Sequence, residues 1–239
     1  MLFGFDPLYL VLLAPGLSLA LWAQWRTHRA CSQGQVVAAA RGITGAQAAA
    51  EVLQAAGVTG VAIEPVKGFL TDHYAPRQKV LRLSPDVYYG QSLSAVGFAA
   101  HEAGHALQDA TRYPLLGFRN GLVPMASIGS CLSWLVIMAG FALMAVQSIW
   151  SKPVLLLGIG VFSLTVLLQL LNLPVELDAS KRARLMLVTY GIVTEEEDAV
   201  VQRVLTAAAV TYVAAALTAV LTLLYSVIRT ALPGRSGDA

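Results

Sequence analysis

Apolar residues gather along the chain into four long runs, and the polar positions between them are confined to two stretches. The runs are Leu8 to Trp25, Pro124 to Val146, Pro153 to Leu173 and Leu205 to Ile228. A hydrocarbon core of roughly 30 Å takes about 20 helical residues, so each run has the length of a membrane-spanning helix. The first has no basic residue ahead of its apolar core, where Asp6 is the only charge, and so reads as a retained anchor rather than a signal peptide. The fourth is rich in Ala, Val and Thr and contains Tyr212, which leaves its ends less sharply marked than its existence.

The polar stretch 26–123 carries the punctuation of a small folded region. Thr44 with Gln47 forms a capping-box signature, Ala-rich helix-forming sequence follows, and Gly57 is placed to stop the helix. Gly60 to Glu64, Leu70 to Tyr74 and Lys79 to Leu83 read as short strands, the last two joined by a turn at Pro76. Ser84 and Pro85 open a helical turn that Gly90 interrupts, and a longer helix is expected from Ser92 to Ala110. In the second polar stretch Pro174 suits a first helical turn, predicting a separate helix from Val175 to Tyr190 ended by Gly191. Thr194 with Glu197 is a further capping box, and the acidic run Glu195 to Asp198 suits the positive end of a helix without any ligand. The expected organisation is an anchor (1–25), a folded polar region (26–123), a transmembrane hairpin (124–173), a helical segment (174–204), and a last transmembrane helix (205–239) whose tail, Pro233 to Ala239, is expected to be disordered.

Composition supports an α-helical polytopic membrane protein of about four transmembrane helices: 56% of residues are hydrophobic and the mean hydropathy is +0.65. The net charge is only +2 and the basic residues are scattered, which argues against a nucleic-acid partner. Their distribution among the loops carries topological information. Residues 26–123 and 174–204 hold nine and four Lys/Arg, and the other side holds Lys152, Arg229 and Arg235. By the positive-inside rule both polar stretches are expected in the cytoplasm of a multi-pass cell-membrane protein. Cys31 and Cys131 match no paired-cysteine metal pattern and are expected to be free thiols.

The chemistry is concentrated at His101-Glu102-Ala103-Gly104-His105, inside the helix expected from Ser92. Histidines four apart share a helical face, so both imidazoles reach one ion, and Glu102 lies beside the water that such an ion activates. With four His and seven Glu in the chain, shuffling yields this pattern in only about 0.2% of sequences. Tetrahedral zinc, one per chain, leaves room for a third protein ligand and a water. His28 and His73 precede the motif, Asp109 is one turn beyond His105, and the acids from Glu195 serve a helix start. Glu176 and Asp178 remain, with Glu176 the first choice and Asp178 the alternative. The expected activity is peptide-bond hydrolysis with Glu102 as general base, acting on a peptide or protein substrate beside the lipid bilayer. The competing reading is a non-catalytic zinc-binding membrane protein acting as a regulator or scaffold, although a closed structural site normally has four protein ligands.

Leu70-Thr71-Asp72-His73-Tyr74, Leu81-Arg82-Leu83-Ser84, His101 to Gln108 and Glu176-Leu177-Asp178-Ala179-Ser180 together resemble the YugP-type neutral zinc metallopeptidases of bacterial membranes, over nearly the whole chain. That resemblance implies an integral-membrane zinc peptidase, and with it the small α+β region expected in the cytoplasm is read as zincin-like. More distantly the motifs are similar to thermolysin-like enzymes, in which a Glu on a second helix is the third ligand and an Asp four residues later supports a ligating His. Position 180 here is Ser, which leaves Ser180, Asp178, Asp109 or Asp72 to orient an imidazole. His73 and Tyr74 are read either as oxyanion donors or as residues packed on the sheet. By the same likeness the strand Lys79 to Leu83 is expected to form an open edge beside the cleft, where an extended substrate pairs. An intramembrane protease, with the H-E-x-x-H helix itself in the bilayer, is disfavoured by Gln91, Gln108, Asp109 and Arg112 around that helix.

Overall fold

The computed structural model describes residues 7–68 and 71–231. Leu70, assigned above to a strand, and the tail Pro233 to Ala239 lie outside the described residues. The chain is mostly helical, with a small three-stranded sheet. Its elements are α1 (Pro7–Gln35), α2 (Gly45–Ala55), β1 (Ala62–Pro65), β2 (His73–Ala75), β3 (Val80–Leu83), α3 (Pro85–Tyr88), α4 (Leu93–Ala110), α5 (Pro114–Ala145), α6 (Ser151–Thr189) and α7 (Glu195–Ala231). Within α1, α5, α6 and α7 lie four segments long and apolar enough to cross a membrane, and α4 is not among them.

Local signals place the helix starts. Thr44 Oγ1 accepts the Gln47 N–H at 3.2 Å while Gln47 Oε1 accepts the Thr44 N–H at 2.8 Å, closing the capping box of α2. Gly57, with φ +67°, takes the left-handed position just past that helix. Thr194 and Glu197 close the same reciprocal pair at α7, and Glu197 also accepts the Ala40 N–H at 2.6 Å. Asp198 pairs with Arg184 at 2.6 Å, so this acidic run is occupied by capping and ion pairing.

Pro174 does not begin a new helix. It lies inside α6, which runs unbroken from Ser151 to Thr189. A helix-interior proline costs about 3 kcal/mol through its missing N–H and its clash with the preceding turn. Beyond it Val175, Ala179, Ala183 and Leu187, at successive helical turns, are all 0% exposed, and this buried stripe holds the helix through the proline. α5 and α7 likewise start before their apolar runs, at Pro114 and Glu195.

The chain divides into two compact units. One combines α1 up to Leu21, residues Phe118–Asn172, and α7 from Tyr212 onward. Its interior is built on Ile137, Leu155, Phe162 and Val166, while Ile128, Leu135 and Leu157 stay exposed. Large exposed apolar side chains of this kind are costly in water and ordinary in lipid.

The other unit comprises Trp22–Gly117 and Leu173–Thr211. Its core joins Val52 of α2, Leu81 and Leu83 of β3, Val96 and Ala100 of α4, Leu187 of α6 and Val201 of α7. The sheet order is β1-β3-β2, with β1 parallel and β2 antiparallel to β3. The strand ending at Leu83 is therefore the centre of the sheet, not its edge. Both of its sides are hydrogen-bonded, so a proline at Leu81 or Arg82 deletes an interior ladder bond. Strand order depends on which distant segments meet, and alternation within a four-residue strand does not encode it.

Candidate metal centre

Helix α4 begins at Ser92, whose Oγ accepts the Ala95 N–H at 3.2 Å, and carries both histidines on one face. Small side chains are fully buried on both helices, Ala99, Ala100 and Ala103 on α4 and Ala179 and Ala183 on α6. At Gly104 the backbones approach so closely that a Cβ would stand 2.4 Å from the carbonyl oxygen of Ala179. Only glycine fits there, and the approach brings the face of α6 bearing Glu176 and Ser180 to the histidines.

There His101 Nε2 lies 3.1 Å and His105 Nε2 3.6 Å from Glu176 Oε2. The ligand atoms of all three lie within 4.8 Å of one another. Tetrahedral zinc with bonds of roughly 2.0 Å separates its ligands by about 3.3 Å, so two imidazoles and a carboxylate with this spacing fit the ion. Glu176 is 3% exposed and His105 6%. The Glu176 carboxyl lies beyond the apolar run that ends at Leu173. Its burial opposes ionisation, but hydrogen bonds and charge from His101 and His105 outweigh that penalty and hold it well below the usual carboxylate range.

Each imidazole is held from behind. His101 Nδ1 lies 3.0 Å from Ser180 Oγ, so the Ser at position 180 occupies the orienting place left open above. His105 Nδ1 lies 3.0 Å from Gln108 Oε1. Gln108 is 0% exposed and donates its amide protons to the Val175 carbonyl and to Asp178 Oδ2, both at 2.8 Å. Since both of those partners only accept, the amide oxygen must face the imidazole, and His105 Nδ1 must donate. Nδ1 therefore keeps its proton in the neutral ring, and Nε2, the nitrogen that faces Glu176, is the one that gives up a proton to bind a metal. Gln108 was missed by the sequence reading. Its position three residues past His105, on the same helical face, was the available signal.

Glu102 follows His101 on α4, and its Oε2 accepts the Tyr74 N–H of β2 at 3.0 Å. The remaining sequence-level candidates do other work. Tyr74 donates its hydroxyl to Asp109 Oδ2 at 2.6 Å, and Lys79 joins the same oxygen at 2.6 Å. Burial and the adjacent Asp109 carboxylate push the Tyr74 phenol well above its ordinary value. Asp72 accepts the Ser84 N–H at 2.7 Å and orients no imidazole. His73 is exposed, with Nδ1 2.8 Å from the Thr71 carbonyl. Cys31 and Cys131 are free.

Four helices of membrane length, together with a cluster of the two histidines of the H-E-x-x-H helix α4 and Glu176 of α6, define a membrane protein able to hold a metal ion. The chain matches the family described as "Putative neutral zinc metallopeptidase" over residues 9–231, and it belongs to that family. It is also 41% identical, over 217 residues, to the "Putative membrane protease YugP" of Bacillus subtilis (strain 168), an alignment covering 91% of this chain and 94% of that protein. The resemblance drawn from the motifs is borne out. No solved structure matches the chain.

Proposed function

We propose that the chain is a multi-pass membrane zinc metallopeptidase that hydrolyses peptide bonds, with His101, His105 and Glu176 as ligands to one zinc and Glu102 as general base. The observation that carries this reading is the convergence of two Nε2 atoms on a buried carboxylate while a second acid, Glu102, follows His101 on the same helix and is held by a strand amide. Three protein ligands suit a catalytic zinc, since a structural site is normally closed by four, and no fourth His, Cys, Asp or Glu joins the cluster among the described residues. This favours hydrolysis over the regulator or scaffold reading.

Zinc, when bound, supplies the Lewis acidity that polarises a scissile carbonyl and makes water nucleophilic near neutral pH. Glu102 takes a proton from the attacking water and then delivers it to the leaving nitrogen, the Tyr74 N–H holding its carboxylate in place. Ser180 and Gln108 keep the two imidazoles oriented while this happens. Of the two edge strands, β2 is the one whose backbone reaches Glu102. It takes over the role first assigned to the strand ending at Leu83, pairing with the main chain of an extended peptide or protein substrate.

The test is hydrolysis of an unstructured peptide by the purified full chain. Chelation should abolish cleavage and one equivalent of zinc should restore it, with circular dichroism unchanged throughout. Cleavage that survives complete removal of metal overturns the reading.

The zincin-like region is assigned to the cytoplasm and to the membrane surface, consistent with α4 lying outside the helices of membrane length. Lys181 is exposed, whereas Ser180 bonds His101 and is a poor labelling site. In a chain lacking Cys31 and Cys131, Gln147→Cys should react with an impermeant thiol reagent on intact cells. Lys181→Cys should react only after lysis. The opposite pattern reverses the orientation.

A further inference from the structure

We infer that Gln108 and Asp178 form a positioning relay that selects the metal-binding tautomer of His105. The inference rests on the metal reading of His101, His105 and Glu176. A buried glutamine beside a histidine can present either its oxygen or its nitrogen to the ring. With the oxygen inward, the ring carries its proton on Nδ1 and its lone pair on Nε2; with the nitrogen inward, the ring protonates on Nε2 and loses its metal-binding lone pair. Two acceptors on α6 decide between these states here, the Val175 carbonyl and Asp178 Oδ2, each 2.8 Å from Gln108 Nε2.

Asp178 is itself anchored from the surface. Arg182 Nε donates to Asp178 Oδ2 at 2.5 Å, and Arg182 Nη1 donates to Thr111 Oγ1 at 3.2 Å. The guanidinium also lies 5.5 Å from the centre of the Tyr113 ring. α6 therefore supplies both a first-choice ligand, Glu176, and, two residues later, the acid that fixes the orientation of a ligand on α4. Ser180 serves His101 by a separate contact and shares no atom with this relay.

The experiment measures zinc dissociation constants by chelator competition on the full chain in detergent, with the Co2+ visible spectrum as a second readout and the melting of the metal-free forms as a fold control. Gln108→Leu, which keeps the volume, should bind zinc about 10–100-fold more weakly than wild type, as is usual when a ligand loses its outer partner. Asp178→Ala should show a similar loss, while Asp178→Asn, which still accepts from the Gln108 amide, should remain within a few fold of wild type. Because both changes break one relay, Gln108→Leu with Asp178→Ala should be no worse than Gln108→Leu alone. Gln108→Leu with Ser180→Ala should instead multiply the two single effects.

Zinc binding by Gln108→Leu or Asp178→Ala within twofold of wild type overturns the relay, as does multiplication of their effects in the double variant. Should Gln108→Leu fail to fold, the contrast between Asp178→Ala and Asp178→Asn decides alone, since Asp178 lies at a half-buried position. A wild-type chain that binds neither Zn2+ nor Co2+ refutes the underlying metal reading, a result distinct from a metal-binding wild type whose variants bind equally well.

Discussion

Replacing Glu102 with Gln should leave zinc content unchanged and lower peptide hydrolysis by about 100-fold or more, the usual cost of losing a general base. The side chain keeps its length, and the amide oxygen can still accept the Tyr74 N–H that holds Oε2 at 3.0 Å. What it loses is the ability to take a proton. Glu102 lies outside the set of three residues whose ligand atoms converge. Metal content by elemental analysis and turnover on one purified sample therefore separate the two functions. Loss of zinc would make Glu102 a ligand, and unchanged turnover would place the base elsewhere.

The elements of the site carried different amounts of local signal. The capping box at Thr44, the N-cap at Ser92 and the i, i+4 histidines are determined by contacts within one turn of helix, and each was readable from adjacent residues. Choosing Glu176 over Asp178 needed a pairing between helices 75 residues apart, and elimination narrowed it to two acids without resolving the geometry. The geometry turns on Gly104, where the absence of a side chain lets Ala179 approach. Pro174 misled because its local preference for a helix start is outweighed by the buried stripe from Val175 to Leu187. The order of the strands and the amide of Gln108 were illegible for a related reason. A central strand and an edge strand of four residues look alike in sequence, and a glutamine's role depends on acceptors contributed by a different helix.

Removing Glu176 should abolish zinc binding even at saturating metal, whereas removing Asp178 should only weaken it. Two residues along a helix turn a side chain by about 200°, so the two acids cannot face the same ion from α6. Glu176 is 3% exposed and points its Oε2 at both imidazoles, 3.1 and 3.6 Å away, while Asp178 faces Gln108 and Arg182. Glu176→Gln conserves volume and keeps an oxygen that can accept from the imidazoles, so the fold should survive the change. His101→Ala and His105→Ala should lose zinc in the same way. The measurement is zinc per chain after equilibration with excess metal and removal of the unbound fraction, beside the melting curve of the metal-free form. Glu176→Ala or Glu176→Gln should retain none, and Asp178→Ala should fill at high zinc. If Glu176→Ala kept a full equivalent while Asp178→Ala could not be filled, the third ligand would be Asp178, and α6 would have to turn by about half a revolution from the arrangement that now packs Ala179 against Gly104.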